Sequence, residues 1–446
     1  MVVSANRLTF GLTGPLLCYR KARRWNLIVS VTGQIEVHGD LSLTSLSRRL
    51  DEANVNREIL KALLEKAQDE LIDELCGKKY SRSGDKKFKR AGTAERTLIT
   101  RHGIIEFRLV KVRSLENGSI PRPFLLYIGL EPWKRIVNDI DFECAETATY
   151  LTYRDSKTVI ENLTKAEVSR HRIHTYVQTI GSFIDEERRE ATDQKADLLY
   201  ADGTKAHGQD GKKNEINVIV GKNTETGEKN LLGLTVNRKW EETAEQFNGK
   251  ADVLISDADK AMRNALIDKA LNYQLCVRHS VGDVGYSLWK AGLPKQERKE
   301  IRTKLKAILN TCRNSTIKHL KDGDVERLQW RINKTLADLK QLAKELVEEG
   351  LTTTAKFLRN SANYMVTFAR LAMKQISIPY TNNLIERLMG EIAKRVKNKW
   401  MHWGTTGLEN LLNILLVRYC NKERYNKLKE TYLSQENKTL IQITVT

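Results

Sequence analysis

The chain has 446 residues, 40% of them hydrophobic and 29% charged, with 26 Gly, 6 Pro and 6 Cys. That composition excludes a mostly disordered chain, a collagen-like fibre and a disulfide scaffold, and leaves room for about two to four globular domains. Lys and Arg number 75 against 56 Asp and Glu, a net charge of +19, which points to a polyanionic partner and most often to nucleic acid; the rival reading is the Lys- and Glu-rich surface of a salt-tolerant or thermophilic protein.

In chain order, residues 1–76 read as a mixed region. Asn26–Val31 and Gln34–His38 suit a short strand pair around Thr32-Gly33. Between Leu41 and Leu75 the residues Leu60, Leu63, Leu64, Ala67, Leu71 and Leu75 recur at helical spacing. Residues 77–150 carry the densest basic run, with 12 Lys and Arg against 3 Asp and Glu from Lys78 to Arg113. Within it, Thr97–Thr100 and Ile104–Val112 predict a β-hairpin turning at His102-Gly103, and Lys86, Lys87, Lys89 and Arg90 are candidate phosphate contacts. Residues 151–190 predict two helices, Thr158–Leu163 and Lys165–Ile180, meeting at Thr164. A helix-turn-helix is one reading, with Arg170 and Arg172 facing DNA; a helical linker with a solvated basic face is the other.

From residue 191 the pattern sharpens. Asp197–Asp202 and Asp252–Asp257 are apolar strands that each end in a carboxylate. Ile216–Val220, Leu231–Val236 and Tyr273–Arg278 predict further strands; Glu241–Phe247 and Lys260–Ala270 predict helices. The order β-β-β-α-β-α-β is that of the ribonuclease-H fold, a mixed α/β sheet with helices on both faces. Residues 293–372 then read as a charged helical insertion, apolar at Leu328, Ile332, Leu336, Leu339, Leu342 and Leu346, between a first core part (191–292) and a last one (373–446). In the last part, Thr381 or Asn382 is expected to cap a helix that carries Glu386 and ends in Lys394, Arg395, Lys397 and Lys399. Trp400, His402 and Trp403 follow; cations mixed with aromatics suit stacking on unpaired bases, although core packing is the commoner use of a tryptophan.

Asp202 and Asp257 carry the chemistry. On adjacent strands of such a sheet they would lie close enough to repel unless a cation joined them. A pair of oxygen ligands with open positions suits Mg²⁺ or Mn²⁺, and phosphoryl transfer with two such ions is the matching reaction. Glu386 supplies a third carboxylate; Glu391, five residues on, faces about 140° away and competes for that role, as Asp259 competes with Asp257. Cys276 and His279 make a CxxH pair, too few ligands for zinc, and are assigned a structural or DNA-end-positioning role.

Taken together, Asp202-Gly-Thr, Ser256-Asp257, Cys276-Val-Arg-His279 and Asn383-Leu-Ile-Glu386 resemble the DDE transposases of the Mutator superfamily and its prokaryotic insertion-sequence relatives. The spacings are 55 residues from Asp202 to Asp257, 19 on to Cys276, and 129 from Asp257 to Glu386, and the likeness covers about residues 190–420. It implies catalytic, metal-binding Asp202, Asp257 and Glu386 and strand cleavage and strand transfer with two Mg²⁺ or Mn²⁺ ions. The DNA would be terminal inverted repeats and target duplex; beside the basic residues read above, Lys394, Arg395, Lys397, Lys399, Trp400 and Trp403 are candidate contacts. It also implies a homodimer or higher oligomer in the synaptic complex and a cytoplasmic, nucleoid-associated protein of a prokaryote. A domesticated non-catalytic DNA-binding protein, or a ribonuclease-H-like nuclease or resolvase, is the alternative. No apolar run reaches the roughly 18–20 residues that span a bilayer, no signal peptide is evident, and the six cysteines form no CxxC, so free thiols inside the cell are expected.

Overall fold

A computed structural model describes residues 54–77, 88–128, 130, 133–191, 195–397 and 401–438. The strand pair expected at 26–38, the basic side chains Lys86, Lys87 and Lys399, and Trp400 lie outside the described residues. Among the described residues the protein is a mixed α+β chain with two sheets. It divides into two compact units, Met1–Val177 with Asn426–Thr446, and Gln178–Tyr425.

In the first unit, α1 (Val55–Cys76) turns Leu71, Ile72 and Leu75 inward. They pack on a hairpin of β1 (Phe88–Thr100) and β2 (Gly103–Ser114), whose Ile105, Phe107, Leu109 and Val112 alternate into the same core. Buried Gln68 fastens the helix to β2: its amide donates to the Arg108 carbonyl at 2.8 Å and accepts from the Val110 N–H at 2.9 Å. The hairpin turns at Arg101-His102, one residue earlier than the sequence suggested. Gly103 opens β2 at φ +108°, a conformation that side-chain-bearing residues rarely adopt.

Three helices follow: α2 (Pro123–Tyr127), α3 (Asn138–Tyr150) and α4 (Tyr153–Thr164), the last capped by the Thr152 hydroxyl. The second helix of the expected pair begins later than Lys165. Lys165 is left-handed at φ 54°, Ala166 and Val168 alternate inward, and α5 starts at Arg170 and runs to Glu190. Ile173 and Val177 are buried on α5, while Arg170, His171, Arg172 and His174 are exposed.

The second unit is built on a five-stranded sheet of β3 (Leu198–His207), β4 (Lys213–Lys222), β5 (Lys229–Val236), β6 (Ala251–Ser256) and β7 (Ala270–Leu275). The strands stand in the order β5-β4-β3-β6-β7. β3, β4 and β5 pair antiparallel, whereas β3–β6 and β6–β7 are parallel. The parallel links are made by α6 (Trp240–Glu245), α7 (Lys260–Leu266) and a short 3₁₀ turn at Ile267–Lys269. The helix expected over Lys260–Ala270 is thus shorter, because Ala270 already joins β7. The strand expected over Tyr273–Arg278 ends at Leu275, and Val277 starts α8 (Val277–Lys290).

Helices α9 (Lys295–Asp322), α10 (Val325–Glu348), α11 (Thr352–Met365) and α12 (Thr367–Ala372) then occupy the charged stretch. Leu328, Ile332, Leu339, Leu342 and Leu346 of α10 are buried in the core shared with the sheet, as their spacing required. α13 (Asn383–Val396), α14 (Thr405–Cys420) and α15 (Lys422–Lys438) complete the chain.

Gly181 of α5 meets α14 so closely that a Cβ there would lie 2.4 Å from the Asn410 carbonyl oxygen. Alanine would gain about 1 kcal/mol of helix propensity, yet backbone cannot yield as a side-chain tip can. Gly181→Ala is therefore expected to destabilise the protein by about 1–3 kcal/mol, read as a lower denaturation midpoint; an unchanged or raised midpoint would show that the two helices separate freely.

Candidate active site

Asp257 directly follows β6, as expected, whereas Asp202 is not the last residue of its strand. The antiparallel ladder carries β3 on to His207, opposite Lys213. The parallel ladder with β6 ends at Tyr200–Ile255. Asp202 therefore stands just past the point where β3 and β6 part, and the two aspartates share the mouth that opens there.

Their surroundings hold both in place. The Gly203 N–H donates to Asp202 Oδ1 at 2.8 Å. The Asp257 carbonyl accepts from the Tyr273 hydroxyl at 2.7 Å and from the Ser256 hydroxyl at 3.0 Å. Burial, then the charge of Asp257, pushes the Asp202 carboxyl from 3.8 up to about 6; Glu386 adds to the rise. Burial also raises Asp257. Asp283, one turn beyond His279 on α8, is raised by burial and by Asp257. The sequence signal for Asp283 was its i+4 relation to His279.

α8 and α13 bring the other groups. Arg278 Nη1 donates to Glu386 Oε2 at 2.9 Å, and His279 Nε2 lies 3.7 Å from Glu386 Oε1. Contact with the Cys276 thiol, together with the charges of Asp257 and Asp202, lifts the His279 imidazole to about 9 against the effect of burial. The raised imidazole of His279 faces Glu386. Arg278 sits inside the CxxH motif, and only the fold reveals it as the partner of Glu386.

Cys276 Sγ, a His279 ring nitrogen and a Glu386 oxygen lie within 4.8 Å of one another. Asn382, wholly buried one turn before Glu386, caps α13 through backbone alone: neither of its side-chain polar atoms finds a hydrogen bond among the described residues. The expected side-chain cap is therefore not made.

The competing acids are engaged elsewhere. Asp259 caps α7, its Oδ1 accepting from the Met262 N–H at 2.8 Å, and its own N–H donates to Asp257 Oδ1 at 3.0 Å. Glu391 pairs with Lys394 at 2.7 Å, and Arg395 is buried beside Trp403.

Among the candidate DNA contacts, Lys89, Lys394 and Lys397 are exposed, and Arg90 pairs with Asp73. Arg395 and Trp403 belong to the interior instead. The Arg395 guanidinium lies 5.0 Å from the Trp403 ring centre, and the Trp403 backbone bonds to His207 and Gln209. Apolar packing claims this tryptophan, so it is not presented to a base. The five cysteines that are described are free thiols.

The family model described as "Transposase, Mutator family" matches residues 35–424. The chain belongs to the Mutator family of transposases. No curated protein matches it. Transposases act on DNA and generally use divalent metals, and this Mutator-family chain has a possible ligand cluster for such an ion. Two partly desolvated carboxylates influence each other's charge, each raised by burial, and Glu386 Oε1 is buried with no hydrogen bond among the described residues. No helix among the described residues is long and apolar enough to cross a membrane.

The raised Asp202 pKa gives a stability prediction. A carboxyl whose folded pKa lies above its unfolded value costs stability once the pH passes the unfolded value. Here that cost begins near pH 4 and is complete above about 6. A rise of about two units corresponds to about 3 kcal/mol. At pH 7.5, Mg²⁺ is expected to raise the melting midpoint by several degrees, and at pH 5 by little. Asp202→Asn should raise the metal-free midpoint and abolish the Mg²⁺ effect, as read by differential scanning fluorimetry. A Mg²⁺ effect that survives in Asp202→Asn would place the ion elsewhere.

Proposed function

We propose that this chain is a DDE transposase that binds the terminal inverted repeats of its own element and catalyses strand cleavage and strand transfer. Asp202, Asp257 and Glu386 would hold two Mg²⁺ or Mn²⁺ ions. When bound, the ions make water or a 3′-hydroxyl nucleophilic and neutralise the leaving oxygen. The observation that carries this reading is the pair of half-buried carboxylates where parallel β3 and β6 part, with Glu386 in the same electrostatic field. The strand order supports a ribonuclease-H-like core, with three antiparallel strands followed by two parallel ones.

The chain's own groups have defined tasks in this reading. The Gly203 amide and the Tyr273 and Ser256 hydroxyls fix the two aspartates. Arg278 and His279 hold Glu386 beside them. The exposed basic residues of the β1–β2 hairpin and of α5 would bind the element's ends, and two such ends require a dimer or larger assembly. Such an enzyme works in the cytoplasm, at the nucleoid of a prokaryote.

A ribonuclease-H-like nuclease would use the same acids, so joining is the discriminating reaction. A pre-cut end fragment bearing a free 3′-hydroxyl, incubated with the protein, Mg²⁺ and a supercoiled target plasmid, is expected to become covalently joined to the plasmid. Hydrolysis without joining would reduce the reading to a nuclease, and binding with neither would leave a DNA-binding protein.

A further inference from the structure

A cavity of about 330 Å³ opens in the second unit on the α13–α14 side of the sheet. Tyr200, Lys222 and Lys229 wall it from the strands, Asn383 and Arg387 from α13, and Tyr419 from α14. No Asp or Glu lines it among the described residues, and none of Lys222, Lys229 and Arg387 makes an ion pair among them. Three cations around one cavity with no acid among its lining residues make a local positive field that suits an anion. Asn383 and Leu384, in the first turn of a 14-residue helix, also line it.

The position of the cavity narrows the anion. Side chains two residues apart on a strand share a face, so Tyr200 and Asp202 point to the same side of β3. The strand rise puts them about 7 Å apart. Lys222 pairs with Leu198, four residues from Asp202 and so about 13 Å along the strand. Arg387 directly follows Glu386 on α13. The cavity is thus a basic trough that leads away from the acids along β3. Successive nucleotides of a strand advance by about 3.4 Å, so the trough spans the phosphates about two to four nucleotides from a phosphate held at the acids.

We propose that this cavity is a phosphodiester subsite, in which Lys222, Lys229 and Arg387 hold the backbone of the DNA strand about two to four nucleotides to one side of the scissile phosphate. The subsite rests on the transposase reading and gives it a strand direction.

The test uses the full chain and a duplex from the DNA that flanks its coding sequence, with a single neutral methylphosphonate moved one position at a time past the cleavage site. Wild-type binding is expected to weaken for substitutions at about two to four nucleotides on one side only. In the Lys222→Ala, Lys229→Ala, Arg387→Ala triple variant that position-specific loss should vanish, and the slope of log affinity against log salt should become shallower by about 0.9 for each phosphate no longer neutralised. The proposal is overturned if the variant keeps both the wild-type methylphosphonate profile and the wild-type slope. Circular dichroism of the variant separates misfolding from removal of the cations, and Lys222→Gln and Arg387→Gln singly should each remove part of the profile. If the wild-type protein neither binds nor cleaves the duplex, the transposase reading itself fails, a result distinct from failure of the subsite alone.

Discussion

Asp202→Asn and Asp257→Asn are each expected to abolish DNA cleavage and joining while leaving binding of the element's ends within a few-fold of wild type. Asparagine keeps the shape and the Gly203 hydrogen bond, but it removes the charge that draws a cation to the point where β3 and β6 part. Charge stabilisation by a bound metal is worth several kcal/mol, and a loss of about 4 kcal/mol is about 10³-fold in rate. Gel-based cleavage under single-turnover conditions reads the rate, and a mobility shift reads the binding. The neutral variants should bind ends no worse, since two half-buried negative charges repel phosphate. Cleavage at the wild-type rate by either variant would sink the assignment.

Glu386→Gln is expected to be as severe, whereas Glu391→Gln should keep most of the activity. The two residues share α13 but face about 140° apart. Glu386 raises the Asp202 pKa and is held by Arg278 and His279. Glu391 instead forms an exposed ion pair with Lys394, a weak, solvent-screened interaction. Arg278→Gln offers a useful companion: its guanidinium positions Glu386 without joining the acid cluster. It should slow cleavage less than Glu386→Gln and shift the Mg²⁺ concentration required. If Glu391→Gln is the inactive variant, the third ligand moves to Glu391; if neither loses activity, α13 leaves the active site.

The order of strands in the second unit was legible because each was a short apolar run bounded by turn residues or charge, and β4 and β5 extend only a few residues beyond their apolar stretches. The extent of β3 was not. Gly203, Thr204 and Lys205 carry no apolar signal, and their extended conformation comes from hydrogen bonding to β4. For the same reason the sequence placed Asp202 at a strand end, whereas the fold places it where one ladder stops and another continues.

Spacing gave the CxxH motif, and the choice of Arg278 as the partner of Glu386 depended on where α8 meets α13. Burial of Arg395 beside Trp403 leaves Lys394 as the partner of Glu391. The tryptophan itself shows why cation–aromatic runs are ambiguous: the same residues that can stack on a base also pack a core. The phosphate trough was hidden for another reason. Its three cations come from β4, β5 and α13, and no window of sequence contains them together.

The most direct test of the central claim is the chemistry of the cut. The full chain, incubated with a labelled end duplex and Mg²⁺, is expected to release a 3′-hydroxyl and a 5′-phosphate, with no protein remaining attached to DNA after denaturation. Removal of the ion with a chelator should stop the reaction. That outcome follows from three carboxylates that position ions to activate water. A covalent protein–DNA adduct, or cleavage that proceeds without divalent metal, would contradict the account.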